Sequence, residues 1–177
     1  MIELRKPNLK NNSNVLDLIL GLFSPFKTSV KFQLRLLTAT KKRNIYDGGY
    51  VYAVVPASTK EEFSDFTYEQ LQNLKPSSLV RSYGTNTLEL TSRVKLGESK
   101  LHLHQIDFES GIDNPNSWVK SFKYQTYLVQ SSENGLHGYS SVLMEEEEWQ
   151  QAMSNLLDTE IIDQKWLKLS LKRNYSS

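Results

Sequence analysis

Apolar and polar positions alternate most cleanly where Val30, Phe32, Leu34 and Leu36 are separated by Lys31, Gln33 and Arg35. A period of two predicts a strand with one wet face. Just upstream, Val15, Leu18, Ile19 and Leu22 fall on one helical stripe that Leu16, Leu20 and Phe23 widen. The spacing predicts a helix over residues 14 to 23, buried on more than one side and capped by Asn12 or Ser13. After a basic loop from Lys41 to Gly49, Tyr50 to Val55 reads as the second arm of a hairpin that Pro56 ends. Ser58 with Glu61 and Thr67 with Gln70 have capping-box spacing, which predicts helical turns between about residues 59 and 74.

Strands follow at 79–83, 87–96 and 100–108, punctuated by Gly84 and Gly97. Residues 110–117 are rich in turn formers and make the best place for an internal boundary in what is otherwise read as one domain over 1–177. Beyond them, Trp118, Phe122, Tyr124 and Leu128 suggest a strand face, and Asn134-Gly135 predicts a hairpin turn into Leu136 to Met144. Trp149, Ala152, Met153, Leu156 and Leu157 have helical spacing behind four glutamates. Leu167, Leu169 and Leu171 alternate with Lys168, Ser170 and Lys172 as in a last strand. The expected class is α+β, a mostly antiparallel sheet with three helical segments. With a strand at Ile2 to Arg5, the first 84 residues run β-α-β-β-α-β, the order of the ferredoxin-like and RNA-recognition folds.

Composition narrows the setting. The 177 residues contain no cysteine, which excludes disulfides, thiolate zinc and a cysteine nucleophile and fits a reducing compartment. The longest apolar run, Val15 to Phe23, is broken by Asp17 and falls short of the roughly 20 residues a bilayer requires. Ser24-Pro25-Phe26-Lys27 follows that run where an export signal would place small residues, so a cytoplasmic protein is expected, with no membrane contact. The net charge of +1 hides an asymmetry: cations dominate Met1 to Arg43, and acids alone are charged from Glu145 to Asp163. Such polarity speaks to partners.

The candidate chemistry is sparse. Lys31, Arg35, Lys41, Lys42 and Arg43 are candidate phosphate contacts for RNA, and Tyr46, Tyr50 and Tyr52 candidate stacking partners for its bases. Glu145, Glu146, Glu147 and Glu148 are a candidate surface for a basic protein partner, or the solvated start of a helix. His102 and His104 project together from a strand, with Asp107 and Glu109 at the opposite parity. A metal would need a third ligand from elsewhere, with His137 the candidate; an RNA endonuclease using the two histidines is the catalytic alternative. No phosphate-binding glycine loop or glycine-flanked nucleophile is present, so neither a cofactor nor an enzyme is expected.

Three stretches, YDGGYVYAVV, SSLVRSYGTNTLEL and YLVQSSENGLHGYSSVLM, span residues 46–144. Together they resemble a small accessory protein of type III-D CRISPR–Cas effector complexes, although Val142-Leu143 stands where that family has an Arg-Leu pair. The resemblance implies a non-catalytic subunit of an antiviral ribonucleoprotein, held among larger protein subunits and a guide or target RNA. A protein-only interaction module or assembly factor is the alternative.

Overall fold

The structure, a computed structural model, describes residues 1–7, 14–42, 55–74, 86–109, 112, 115–120, 122–130 and 135–177. Among these residues the chain is α+β, with seven strands in one antiparallel sheet and five helices. The strands are β1 (Ile2–Glu3), β2 (Val30–Lys42), β3 (Val55–Thr67), β4 (Asn86–Leu96), β5 (Ser99–Asp107), β6 (Thr126–Gln130) and β7 (Leu136–Met144). The helices are α1 (Val15–Phe23), α2 (Tyr68–Gln72), α3 (Pro115–Val119), α4 (Glu146–Ser154) and α5 (Gln164–Arg173). None of the helices among the described residues is long and apolar enough to cross a membrane.

The sheet runs β1-β7-β5-β4-β2-β3, and β6 also pairs with β7. Thus β6 and β1 share one edge of β7, aligned with residues 136–140 and 142–143 respectively. The element types at the start of the chain follow the expected β-α-β-β-α order. The pairings do not close that unit on itself, because β1 joins β7 while β2 and β3 form the far end of the sheet.

Each face of the sheet carries its own core. Leu18, Ile19, Leu22 and Phe23 of α1 pack with Leu71 of α2 on Phe32, Leu34, Leu101 and Leu143. On the other cluster, Trp149 and Met153 of α4 and Leu167 of α5 pack on Ile106, Phe108, Val142 and Met144. Burying such side chains is the main driving force for each layer, at about 1.5–3 kcal/mol per large apolar residue.

Several local expectations are corrected. The cap of α1 is Asn14, whose side chain accepts from Asp17 N at 3.0 Å, while Asn12 and Ser13 lie outside the described residues. Residues 59–67 are strand, not helix, and Pro56 does not end β3. β3 is the edge strand, where a residue without an N–H and a run such as Lys60-Glu61-Glu62 is tolerated. Ser58 and Glu61, one of the two capping-box pairs, lie within β3, whereas Thr67 with Gln70 starts α2: Gln70 N donates to Thr67 Oγ1 at 3.2 Å, and Thr67 N donates to Gln70 Oε1 at 2.9 Å.

Trp118 lies in α3 and is exposed, not on a strand face. Residues 164–173 are a helix, not a last strand. Asp163 caps its start by accepting from Lys165 N and Trp166 N, and Asn174 ends it at φ 60°. Leu167, Ser170 and Leu171 face inward at helical spacing, and Leu169, the residue that made the alternation, is exposed. The strand expected at 79–83 and most of the one expected at 50–55 fall outside the described residues.

Candidate functional site

Beyond the Arg93–His102 pair, β4 no longer pairs with β5, and segments from the C-terminal part of the chain come alongside. Ser92 N donates to Ser176 O at 2.8 Å, and Ser176 Oγ donates to Gln105 Oε1 at 3.2 Å. Further along β5, Phe108 forms an antiparallel bridge with Ile162. Asp163 N donates to Asp107 O at 3.0 Å and Glu109 N to Ile161 O at 3.0 Å, so Asp163 lies opposite Asp107. On the other side of β5, Asp107 is in register with His137 of β7, and Asp107 Oδ1 is 3.2 Å from His137 Nε2.

The backbone therefore lines up His137, Asp107 and Asp163 across three neighbouring segments, with Glu109 two residues on. Asp107 and His137 are both partly exposed. Tyr139, two residues from His137, is buried; burial, and then the Asp107 charge, push its phenol well above the usual range. Among the described residues no three histidines or carboxylates already meet as a metal-ligand set. The donors are nonetheless of the kind a hard cation takes: magnesium is commonly held by one or two carboxylates together with waters and substrate phosphates, not by a closed protein cage.

His102 and His104 do project to one side of the sheet, the side α4 covers, but each has its own surroundings. The His102 ring stacks on Trp149 at 4.7 Å, and its Nδ1 lies 3.2 Å from Ser92 Oγ. Burial, and next the Arg93 charge, lower its pKa to about 4 against a smaller opposing pull from Glu146. Burial alone lowers His104 to about 4. His104 Nδ1 lies 2.9 Å from Ser140 Oγ, which is 2.9 Å from Thr126 Oγ1, and Thr126 donates to Tyr124 O at 3.1 Å. Among the described residues, the buried His104 Nε2 has no hydrogen-bond partner. The His104 residue, though not this shielded nitrogen, lines a cavity of about 350 Å³ together with Ser140, residues 122–124, α4 and Met1. His137 does not join this pair, since it is engaged with Asp107.

The candidate phosphate contacts divide. Lys31 is exposed and in register with Lys95, which is in register with Lys100, a cationic row across β2, β4 and β5. Lys95 is also ion-paired with Asp65. Arg35 is 5% exposed; its guanidinium bonds Glu89 and donates to Tyr175 Oη at 3.2 Å. Lys41 and Lys42 lie at the end of β2, while Arg43, Tyr46, Tyr50 and Tyr52 lie outside the described residues. Glu145 to Glu148 are exposed at the start of α4, where Glu145 N donates to Glu148 Oε2 at 3.2 Å. Sequence reasoning weighed Asp107, Glu109 and His137 only beside His102 and His104 and passed over their row with Asp163; two carboxylates at i and i+2 were the signal available.

Residues 65–177, well over half of the chain, match the model of a family described as AEP-like, archaeo-eukaryotic primase 1D-like. No curated protein and no solved structure matches. The family match overturns the resemblance to a type III-D CRISPR–Cas accessory protein, and with it the expected role as a structural subunit of an antiviral ribonucleoprotein. The segments that carried that resemblance are short strand-turn-strand patterns, which unrelated antiparallel sheets share. The matched region includes α4, α5 and all of the Asp107 row.

Proposed function

Because the chain belongs to the archaeo-eukaryotic primase 1D-like family, we propose that it acts on nucleic acid by joining nucleotides at the Asp107 row. The observation that carries this reading is the alignment of Asp107 with His137 on one side and Asp163 on the other, with Glu109 adjacent. Nucleotidyl transfer needs positive charge held at the reacting phosphates, and carboxylates at the ends of strands are the usual means of holding it.

Asp107 and Glu109 are the residues that would hold a divalent cation. Bound there, it would neutralise phosphate charge and lower the pKa of an attacking hydroxyl. His137 restrains the Asp107 carboxylate from 3.2 Å, so that its oxygens are oriented before substrate arrives. Asp163 has one carboxylate oxygen committed to the first turn of α5, which fixes the third segment of the row. A strand of nucleic acid is a polyanion, and Lys31 with Lys95 and Lys100 offers it backbone contacts away from the reacting end. The cysteine-free composition supports a cytoplasmic setting.

The test is a strand-synthesis assay with a single-stranded template, nucleoside triphosphates and magnesium or manganese. Template-dependent product from the wild type, and its loss in Asp107→Asn, is expected; an inactive wild type that binds no template would sink the reading.

A further inference from the structure

A second pocket, of about 340 Å³, opens beside the first turn of α4 and over β2, β3, β4 and the start of β5. Strand register supplies its cations. Arg93 lies opposite His102 and Lys95 opposite Lys100, so two neighbouring strands set all four residues on one side of the sheet. From β2 comes Gln33, whose side-chain oxygen is 3.4 Å from Thr91 Oγ1, which leaves the amide NH2 as its free end. The acids close to these cations are mostly committed: Asp65 is ion-paired with Lys95, and Glu89 holds Arg35. Of the acids lining the pocket, that leaves Glu146, exposed at the start of α4.

Arg93 is half-buried, and its guanidinium makes no hydrogen bond or ion pair among the described residues. Its Cζ lies 5.0 Å from the centroid of the Tyr175 ring. That ring is itself fixed: Tyr175 is 5% exposed, its Oη accepts from Arg35, and Phe63 meets it edge-on. The ring restrains the guanidinium from one face, whereas the five N–H donors lie in the guanidinium plane and remain to be matched. A planar fork of donors fits two oxygens of one phosphate, and Lys100, also without an ion pair among the described residues, adds a second full charge from the next strand. His102 is neutral at pH 7, because burial and the Arg93 charge lower its pKa to about 4, and so it adds no repulsion to the wall. We propose that this pocket is a phosphate site with Arg93 as its bidentate donor, filled by the backbone of a single nucleic-acid strand or by the phosphates of a free nucleotide. Arg93 is level with His102, five residues along β5 from Asp107 and therefore roughly 17 Å away at the rise of a strand, which sets the pocket apart from the Asp107 row. The inference deepens the nucleic-acid reading and rests on it for the nature of the ligand, but it does not require Asp107 to be catalytic.

The probes are a single-stranded oligonucleotide and a nucleoside triphosphate, each titrated into the full chain in EDTA while the Arg93 Nε–H resonance is followed by NMR. At least one should shift that resonance, and the one that binds more tightly names the source of the phosphate. Arg93→Gln should weaken that probe by about tenfold or more, the worth of hydrogen bonds to a charged group. Glu146→Gln removes the opposing charge at an exposed position and should tighten it by about threefold. Asp107→Asn should leave binding unchanged. If neither probe shifts Arg93 at millimolar concentration, or if folded Arg93→Gln binds as the wild type does, the phosphate site does not exist. Should Arg93→Gln fail to fold, an unchanged affinity in Glu146→Gln overturns the proposal instead. Template-directed synthesis by a wild type whose Arg93 responds to neither probe would leave the reading of the Asp107 row standing without this site.

Discussion

His137 Nε2 lies 3.2 Å from Asp107 Oδ1 across the β5–β7 ladder, so an imidazole on one strand restrains a carboxylate on the next. The pair is partly exposed, which keeps its contribution to stability at no more than about 1 kcal/mol. His137→Phe should consequently melt within a few degrees of the wild type. It should lose about tenfold or more in nucleotide transfer, because the carboxylate is no longer oriented. A large loss of stability with activity intact, read by calorimetry beside the synthesis assay, would show that the pair is structural.

Acid should unfold the protein through its two buried imidazoles. Both folded-state pKa values are lowered from 6.5 to about 4, so the unfolded chain binds protons that the folded chain does not. Stability is therefore full above the unfolded value and falls as pH drops from about 6.5 toward 4, by up to about 3 kcal/mol for each ring. Urea midpoints measured across that interval should fall steeply for the wild type. The double variant His102→Gln, His104→Gln should give a flatter profile.

Arg35 is held by Glu89 and Tyr175 at a buried position, and Phe63 meets the Tyr175 ring edge-on at 5.6 Å. Glu89→Ala removes one partner of the guanidinium and should cost about 2 kcal/mol, since a hydrogen bond to a buried charge is worth more than one to an exposed charge. Lys31→Ala, at an exposed position on the same strand, should change stability by less than about 0.5 kcal/mol. It should instead weaken nucleic-acid binding and reduce its salt dependence, as fluorescence anisotropy at several ionic strengths would read.

Much of the fold was legible because period and turn chemistry agreed locally. Val30 to Leu36, the strand from Leu136 to Met144 and the Trp149 helix were each read correctly from such signals. The last helix was missed because three leucines at alternate positions fit a strand over five residues, and only the Asp163 cap and the buried Ser170 reveal the longer period. β3 was missed because edge strands carry the charges and proline that elsewhere mark helix starts and turns. The candidate site was legible only in part: Asp107 and Glu109 stand two apart in sequence, but their alignment with His137 and Asp163 depends on pairings that no local pattern encodes.

Gly138 sits where β7 passes between β5 and β6, and a Cβ there would meet Phe108 and Thr126, each at 3.0 Å. Both neighbours are packed, so Gly138→Ala should destabilise by about 1–2 kcal/mol. Displacing Thr126 should also disturb the Ser140–His104 relay, visible as a shift of the His104 ring protons. An unchanged melting temperature and spectrum would mean that the strands open to accept the methyl group.

The most direct measurement is incorporation of labelled nucleotide into template-directed product by the purified wild type and Asp107→Asn, side by side, with magnesium or manganese supplied. Product that requires both template and cation, reduced about a hundredfold or more in the variant, is the expected result. Equal incorporation by the two proteins, or none by a folded wild type with either metal, would contradict a nucleotide-joining centre at Asp107.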